Sequence, residues 1–361
     1  MTWDTTCLLC LLTLYLIDSR CKELLQQLDA EVIHWKAQLF AKSTKSTYSA
    51  HLRIYLKFCQ RLELPPVPVS TCTLERYAAF LARTRAFTTV QQYMNIIRII
   101  HLEFGFSNPL SENWHLRSVL QGIKRGKGVT SKSKSPILPE HLLQLHKTLD
   151  LDSLDDLQLW SATLTAFFGL LRVSNVAAAK TPSHMIKRKD MDIHSSGITL
   201  SVHHSKTIQY KERNHTVVLP YLRNHTLCPT TAVLKFLGKT ARCPQEAPLF
   251  STPRLGHSYT NLTAARFRER LCSKLRVSCP SEGNFSTHSL RRGGATWLLS
   301  SGTPLASIKI IGDWSSDAVY RYLIPSTKSQ FSTILTACDK LPIAWMSLFE
   351  CYTTPYYGLE H

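Results

Sequence analysis

At 361 residues, 44% hydrophobic and 19% charged, the chain is long enough for two ordinary domains and too apolar to be a disordered polyelectrolyte. Its formal charge of +18 is spread along the chain rather than gathered in a tail, which points to a polyanionic partner, most commonly nucleic acid; the plainer alternative is a basic protein without one. Eleven cysteines, an odd number without regular spacing, argue against a disulfide framework or a zinc site and for reduced thiols inside a cell.

The apolar run Thr6 to Ile17 is too short to span a bilayer, and Asp4 precedes it where a signal peptide carries positive charge. It reads as a helix packed on the protein, or as the product of a misplaced start codon, rather than as a secretion signal, with no membrane partner. From Cys21 to about Lys124 the period is helical. Tyr48, Leu52, Tyr55, Leu56 and Cys59 form an apolar stripe, with Arg53 and Lys57 on the other side. Ser70 to Thr73 can cap the next helix, which carries Leu74, Tyr77, Ala78 and Leu81 inward. A third helix runs through Tyr93, Ile96, Ile97, Ile100 and His101, and a fourth covers Trp114 to Ile123. Short connections make this a small bundle.

The stretch Lys124-Arg125-Gly-Lys127 to Lys132 and Lys134 has basic residues, Gly and Ser but no apolar period, and reads as an interdomain linker able to cross a phosphate backbone. Helices resume at Pro139 to Leu149 and Leu154 to Arg172, the second ending an apolar run in an arginine. Gly197 to Val202 alternates with period two, and Asn214 to Pro220 continues as strand, so the polar insert from Lys206 to Asn214 forms a hairpin tip. Further helices are expected at Pro229 to Leu237, at Thr263 to Leu275 and from His288, with Gly302 and Gly312 as stops and a last short helix through Leu323.

His288 and Arg291 lie three residues apart and so share a helix face, with Ser286 or Thr287 placed to cap it. Alone the pair is a weak signal. Joined in order to Arg172, Lys206 and a later tyrosine, it suits chemistry on a phosphodiester. Two guanidiniums can clamp non-bridging oxygens, a tyrosine hydroxyl can attack phosphorus, and a lysine or histidine can exchange protons. No metal or other cofactor is required.

Arg172 within Gly-Leu-Leu-Arg-Val-Ser, Ser205-Lys206-Thr207, His288-Ser-Leu-Arg291-Arg292-Gly-Gly-Ala-Thr, and Gly312 ten residues before Tyr322 resemble the tyrosine recombinase (phage-type integrase) family, in that family's order. The wording of the last two motifs is most similar to recombinases of DIRS, Ngaro or Crypton mobile elements. The resemblance covers about Leu39 to Pro325. It implies a mainly α protein with a small antiparallel β-sheet: a helical core-binding (SAM-like) domain over 38–124, a basic linker over 125–136 and an α+β catalytic domain over 137–327. An N-terminal helical segment (1–37) would precede them, and a C-terminal helix and tail (328–361) would follow.

The resemblance further implies strand exchange through a 3′-phosphotyrosine, with Tyr322 as nucleophile, Arg172 and Arg291 as phosphate clamp, Lys206 as acid for the 5′ oxygen and His288 as proton-transfer partner. The family spacing selects Tyr322 over Tyr320, which lies about 200° away on a helix. Double-stranded DNA is the implied partner, bound by a homo-oligomer in the nucleus. Lys45, Arg53, Lys57, Lys124, Arg125, Lys127, Lys132, Lys134 and Arg292 are candidate DNA contacts. Two positions depart from the family. Asp313, with Trp314 beside it, stands where His or Trp is usual, and Asn175 replaces an acidic residue. A carboxylate near the scissile phosphate either turns away or lowers activity. The alternative is an element-derived DNA-binding protein that does not cut.

Overall fold

The computed structural model describes residues 19–128, 134–178, 184–205, 208, 213–256, 258–280, 283–316 and 319–320. Chain contacts divide it into two compact units, Met1–Lys132 and Ser133–His361. The apolar run at 6–17, most of the hairpin tip and the C-terminal helix and tail lie outside the described residues.

The first unit contains helices α1 (Ser19–Gln38), α2 (Lys42–Arg61), α3 (Thr71–Ala82), α4 (Phe87–Glu103) and α5 (Trp114–Lys127). Its core is aromatic at the centre, with Tyr55, Phe58 and Tyr77 packed among Leu74, Leu81, Ile97 and Leu116. On α2 the buried row is His51, Tyr55, Phe58 and Cys59, while Leu56 is exposed. The expected stripe was therefore one position too wide, because each step along a helix turns about 100° and carries Leu56 off the face that Tyr55 buries. The Ser70 hydroxyl accepts the Thr73 N–H at 3.2 Å, and the Asn113 side chain accepts that of Leu116 at 3.0 Å, capping α3 and α5. Buried His101 ties the bundle to the incoming loop: its Nε2 accepts the Val69 N–H at 2.9 Å.

Helix α5 runs past the expected end at Ile123, so Lys124, Arg125 and Lys127 belong to its last turn and not to a linker. Cations there offset the partial negative charge of the helix terminus. Gly128, at φ +68°, then ends it.

The second unit is built round α7 (Leu154–Phe168), which is buried along nearly its whole length. A helix buried on every side, polar residues such as Gln158 and Ser161 included, must be surrounded. Here α9 (Pro229–Lys239), α10 (Ala264–Ser278) and α11 (His288–Ser300) pack on it, with α6 (Pro139–His146) against α10. A three-stranded antiparallel sheet has the order β1 (Met191–His194), β2 (Gly197–Val202), β3 (His215–Pro220). Leu200 opposes Val217 and Ile198 opposes Leu219, and all four face the core. Strand β1 escaped sequence reading because it is a largely exposed edge with no alternation to see. A short hairpin, β4 (Thr252–Pro253) and β5 (Tyr259–Thr260), gave no period either. The short helix α8 (Val173–Val176) follows α7, and α12 (Leu305–Ile311) follows α11.

Two expected boundaries move. Helix α6 closes at His146, and α7 stops at Phe168 because Gly169 caps it and Leu170 takes a left-handed backbone, φ +46°. Arg172 consequently stands outside the helix, at the N-cap of α8. Among the described residues, Cys59, Cys228, Cys243 and Cys279 are buried free thiols, no helix is long and apolar enough to cross a membrane, and no group of three metal-ligating side chains forms.

Candidate active site

Helix α11 supplies one side of the site. Its Gly293 and Gly294 let it lie against backbone: a Cβ on Gly293 would sit 1.6 Å from the Ile137 carbonyl oxygen, and one on Gly294 2.4 Å from that of Phe167. This seating buries Arg291 beside the chain reversal after α7, where its guanidinium donates to the carbonyls of Leu170 and Gly312. The Trp314 ring covers the same guanidinium at 4.0 Å, a cation–π contact worth about 0.5–2 kcal/mol. Trp314 packs within a small cluster with Leu170, Ala295, Ile308 and Val319.

One turn earlier, His288 opens α11, partly open to solvent while protein packs round its imidazole. No side-chain cap comes from Thr287; instead the Ser289 hydroxyl accepts the Ser286 N–H at 3.0 Å. The protein around the imidazole, and then the charges of Arg291, Arg172 and Arg292, lower its pKa, so the neutral form is favoured. A neutral imidazole keeps one unprotonated ring nitrogen, and burial and the neighbouring guanidiniums make it a weaker base than an isolated histidine.

The other side comes from the turn after α12 and from the sheet. Asp313 is buried, at φ +54°, and its carboxylate is shared. Oδ1 accepts from Arg213, just before β3, while Oδ2 lies 3.3 Å from the Ser205 hydroxyl and 4.0 Å from Nη1 of Arg172. Asp313 therefore does not turn away from the cations. Asn175 is buried on α8 and donates to the carbonyls of His184 at 3.1 Å and His204 at 2.9 Å, anchoring the end of the strand that leads to Lys206. His215, on β3, meets the Ile311 carbonyl at 3.1 Å; its pKa is lowered by burial, against the opposing pull of Asp313 and that hydrogen bond.

Among the expected residues, the structure brings together Arg172, His288, Arg291, Asp313 and Trp314, with Arg292 next to them. Lys206 and Tyr322 lie outside the described residues. Tyr320 is 58% exposed, whereas its neighbour Val319 is fully buried. Arg213 escaped sequence reading, since its partner is 100 positions away and no local spacing announces it. Of the candidate DNA contacts, Lys45, Arg53 and Lys57 are exposed on α2, and Lys124, Arg125 and Lys127 are exposed on α5. In the second unit Arg292 donates to the Lys134 carbonyl at 3.1 Å, and Lys134 to the Asn284 side chain; Lys132 lies outside the described residues.

No protein-family model matches the chain. An integrase/recombinase XerD homolog of Selenomonas ruminantium is 28% identical over 261 residues, 71% of this chain and 73% of that protein. Among solved structures, the Tn1549 transposon integrase in complex with transposon right end DNA aligns at TM-score 0.61 and 14% identity, over 86% of this chain and 98% of that one. A lambda integrase dimer bound to a COC′ core site aligns at TM-score 0.54 and 13% identity, over 82% and 75%. The fold, mainly helical with a small antiparallel sheet, is that of these integrases. Together with the XerD-like sequence, it supports the tyrosine recombinase/integrase family for this chain.

Proposed function

We propose that this chain is a site-specific DNA recombinase or integrase that cuts and rejoins strands through a 3′-phosphotyrosine intermediate. The observation that carries the reading is that Arg172 is brought from a distant part of the sequence to His288 and Arg291, which share α11, so that the three form one cluster of positive charge. Arg172 and Arg291 clamp the scissile phosphate and offset the charge that develops on it. Tyr322 attacks phosphorus, Lys206 protonates the departing 5′ oxygen and neutral His288 exchanges the proton of the nucleophile. No metal or other cofactor takes part.

Residues 38–124 act as the core-binding domain and 137–327 as the catalytic domain. Basic faces on α2 and α5, with Lys134 and Arg292, contact the phosphates of double-stranded DNA. The protein works as a homo-oligomer on its site and, given the DIRS, Ngaro or Crypton-like wording of its motifs, serves a mobile element in a nucleus. The Tn1549 protein is a transposon integrase and the lambda one is a dimer on its core site, which is consistent with that reading.

The test is a nicked suicide duplex, which traps the covalent adduct. Tyr322→Phe removes the adduct and Tyr320→Phe retains it; an adduct on the Tyr322→Phe protein sinks the assignment. A second reading, DNA binding without cleavage, is favoured by one observation, the Asp313 carboxylate beside Arg172. It predicts tight duplex binding with no adduct from any substrate.

A further inference from the structure

Asp313 is the member of the site that departs from the family, and its surroundings determine the sign of its effect. A carboxylate aimed at the scissile phosphate would repel it. A carboxylate already spent on cations would not. The oxygens of Asp313 are spoken for on both sides, by Arg213 at Oδ1 and by Arg172 and the Ser205 hydroxyl at Oδ2. Its side chain is only 6% exposed, so it cannot swing into water, and a buried charge persists where partners hold it. The turn that carries it is fixed as well. The Gly312 carbonyl accepts from Arg291, Trp314 lies on that guanidinium, and a Cβ on Gly312 would fall 1.7 Å from the Trp314 ring.

The two arginines differ in what else restrains them. Arg172 stands at the cap of a four-residue helix with a side chain 22% exposed. Arg213 enters from the sheet with a side chain 46% exposed. Without an anion between them, they and Arg291 and Arg292 would repel one another. One shared carboxylate offsets that repulsion and leaves the group cationic.

We propose that Arg213, acting through Asp313, is a positioning residue that holds Arg172 in the geometry needed to clamp a phosphodiester. This rests on the reading of Arg172 as a phosphate ligand. Asp313 is then an internal counterion for the clamp, and the departure from the family at this position is compensated by Arg213.

The experiment compares Arg213→Gln, Arg213→Lys and Asp313→Asn with the full-length wild type. Three quantities are read: single-turnover adduct formation on a nicked duplex, affinity for the uncut duplex, and the rate at which phenylglyoxal modifies Arg172, followed by peptide mass spectrometry. Misplacing a reacting group by about 1 Å costs on the order of 100-fold, so Arg213→Gln and Asp313→Asn should slow adduct formation by roughly 10- to 100-fold. Duplex affinity should stay within about threefold, because many other phosphate contacts remain. Arg213→Lys should recover part of the rate, which general loss of packing would not allow. Modification of Arg172 should be faster in Arg213→Gln than in wild type.

Adduct formation that is unchanged or faster in Asp313→Asn overturns the proposal, for then the carboxylate does repel the phosphate. Should Asp313→Asn fail to fold, the two Arg213 variants decide on the same criteria. Should the wild type bind duplex and form no adduct, the enzymatic reading fails, and Arg172 reactivity judges the pairing by itself: faster modification in Arg213→Gln supports it, and an unchanged rate overturns it.

Discussion

The two sides of the site hold their arginines by different means. On the α11 side, Arg291 is buried, fixed to two backbone carbonyls and covered by an indole, on a helix seated by Gly293 and Gly294. On the sheet side, Arg172 is partly exposed and is steadied by a carboxylate that a second arginine shares. Backbone acceptors cannot be exchanged without moving the chain, whereas an ion pair can loosen when another anion arrives. On the proposed reading of the two arginines as a phosphate clamp, one jaw is rigid and one compliant, so the pair can keep its geometry and still admit a ligand.

The contrast is broken most severely on the rigid side. Arg291→Ala leaves two carbonyls without this donor and strips Trp314 of its cation; adduct formation should fall by about 10³-fold, in keeping with the loss of a preorganised donor. Urea unfolding of the same variant should show a loss of about 2–4 kcal/mol, since a buried group left unsatisfied costs about 1–3 kcal/mol. Arg172→Ala should match the first effect but not the second. Equal destabilisation by both variants would erase the distinction.

Next in size, Gly293→Ala should cost about 1–3 kcal/mol in unfolding free energy, because its Cβ would run into the Ile137 carbonyl and force α11 outward. Gly302→Ala has no such neighbour, and its cost comes from its backbone, at φ +81°. DNA cleavage should therefore fall more for Gly293→Ala than for Gly302→Ala when both are compared at equal stability.

A smaller effect follows pH. His51, His146, His215 and His288 all have lowered pKa values in the folded chain, chiefly from burial. The unfolded chain then takes up protons first as pH falls through about 6.5, so stability is full above that value and declines below it. Denaturant midpoints measured from pH 7.5 to 5 should show the decline, and His288→Gln should flatten it. Asp156 acts in the same direction but in a lower pH window. Burial would raise its pKa, but the Asp150 N–H, Lys274 and Arg270 outweigh that and lower it, so its contribution is lost only as pH falls below the ordinary carboxylate value. An unchanged slope in His288→Gln would mean that its ring titrates alike in both states.

The smallest single effects belong to the bundle surface. Arg53 and Lys57 sit four apart on α2 and share one face. Replacing either by Gln should weaken duplex binding only slightly and reduce the dependence of log affinity on log salt by about one unit.

What the sequence revealed followed the range of the interaction. Arg172, His288 and Arg291 stand in motifs whose spacing is local, and helical period placed most of α2 to α5. The limits of α5, α6 and α7 were missed because they depend on caps and on a left-handed residue, Leu170, that no period encodes. Leu56 was placed inward because apolar character alone does not say which side of a helix finds a partner. Strand β1 is an edge held by backbone pairing to β2, a contact that leaves no mark on side-chain pattern. Arg213 lay in a polar stretch that any solvated loop resembles, and its meaning came only from the carboxylate folded against it.

Gly312, Asp313 and Trp314 are consecutive, yet they grip both jaws: Gly312 and Trp314 hold Arg291, and Asp313 holds Arg172. Such a tripeptide is mechanically a single handle. Any displacement of this turn, from α12 before it or from the chain after it, reaches both guanidiniums, Arg291 through a backbone bond and an indole contact and Arg172 through the looser ion pair.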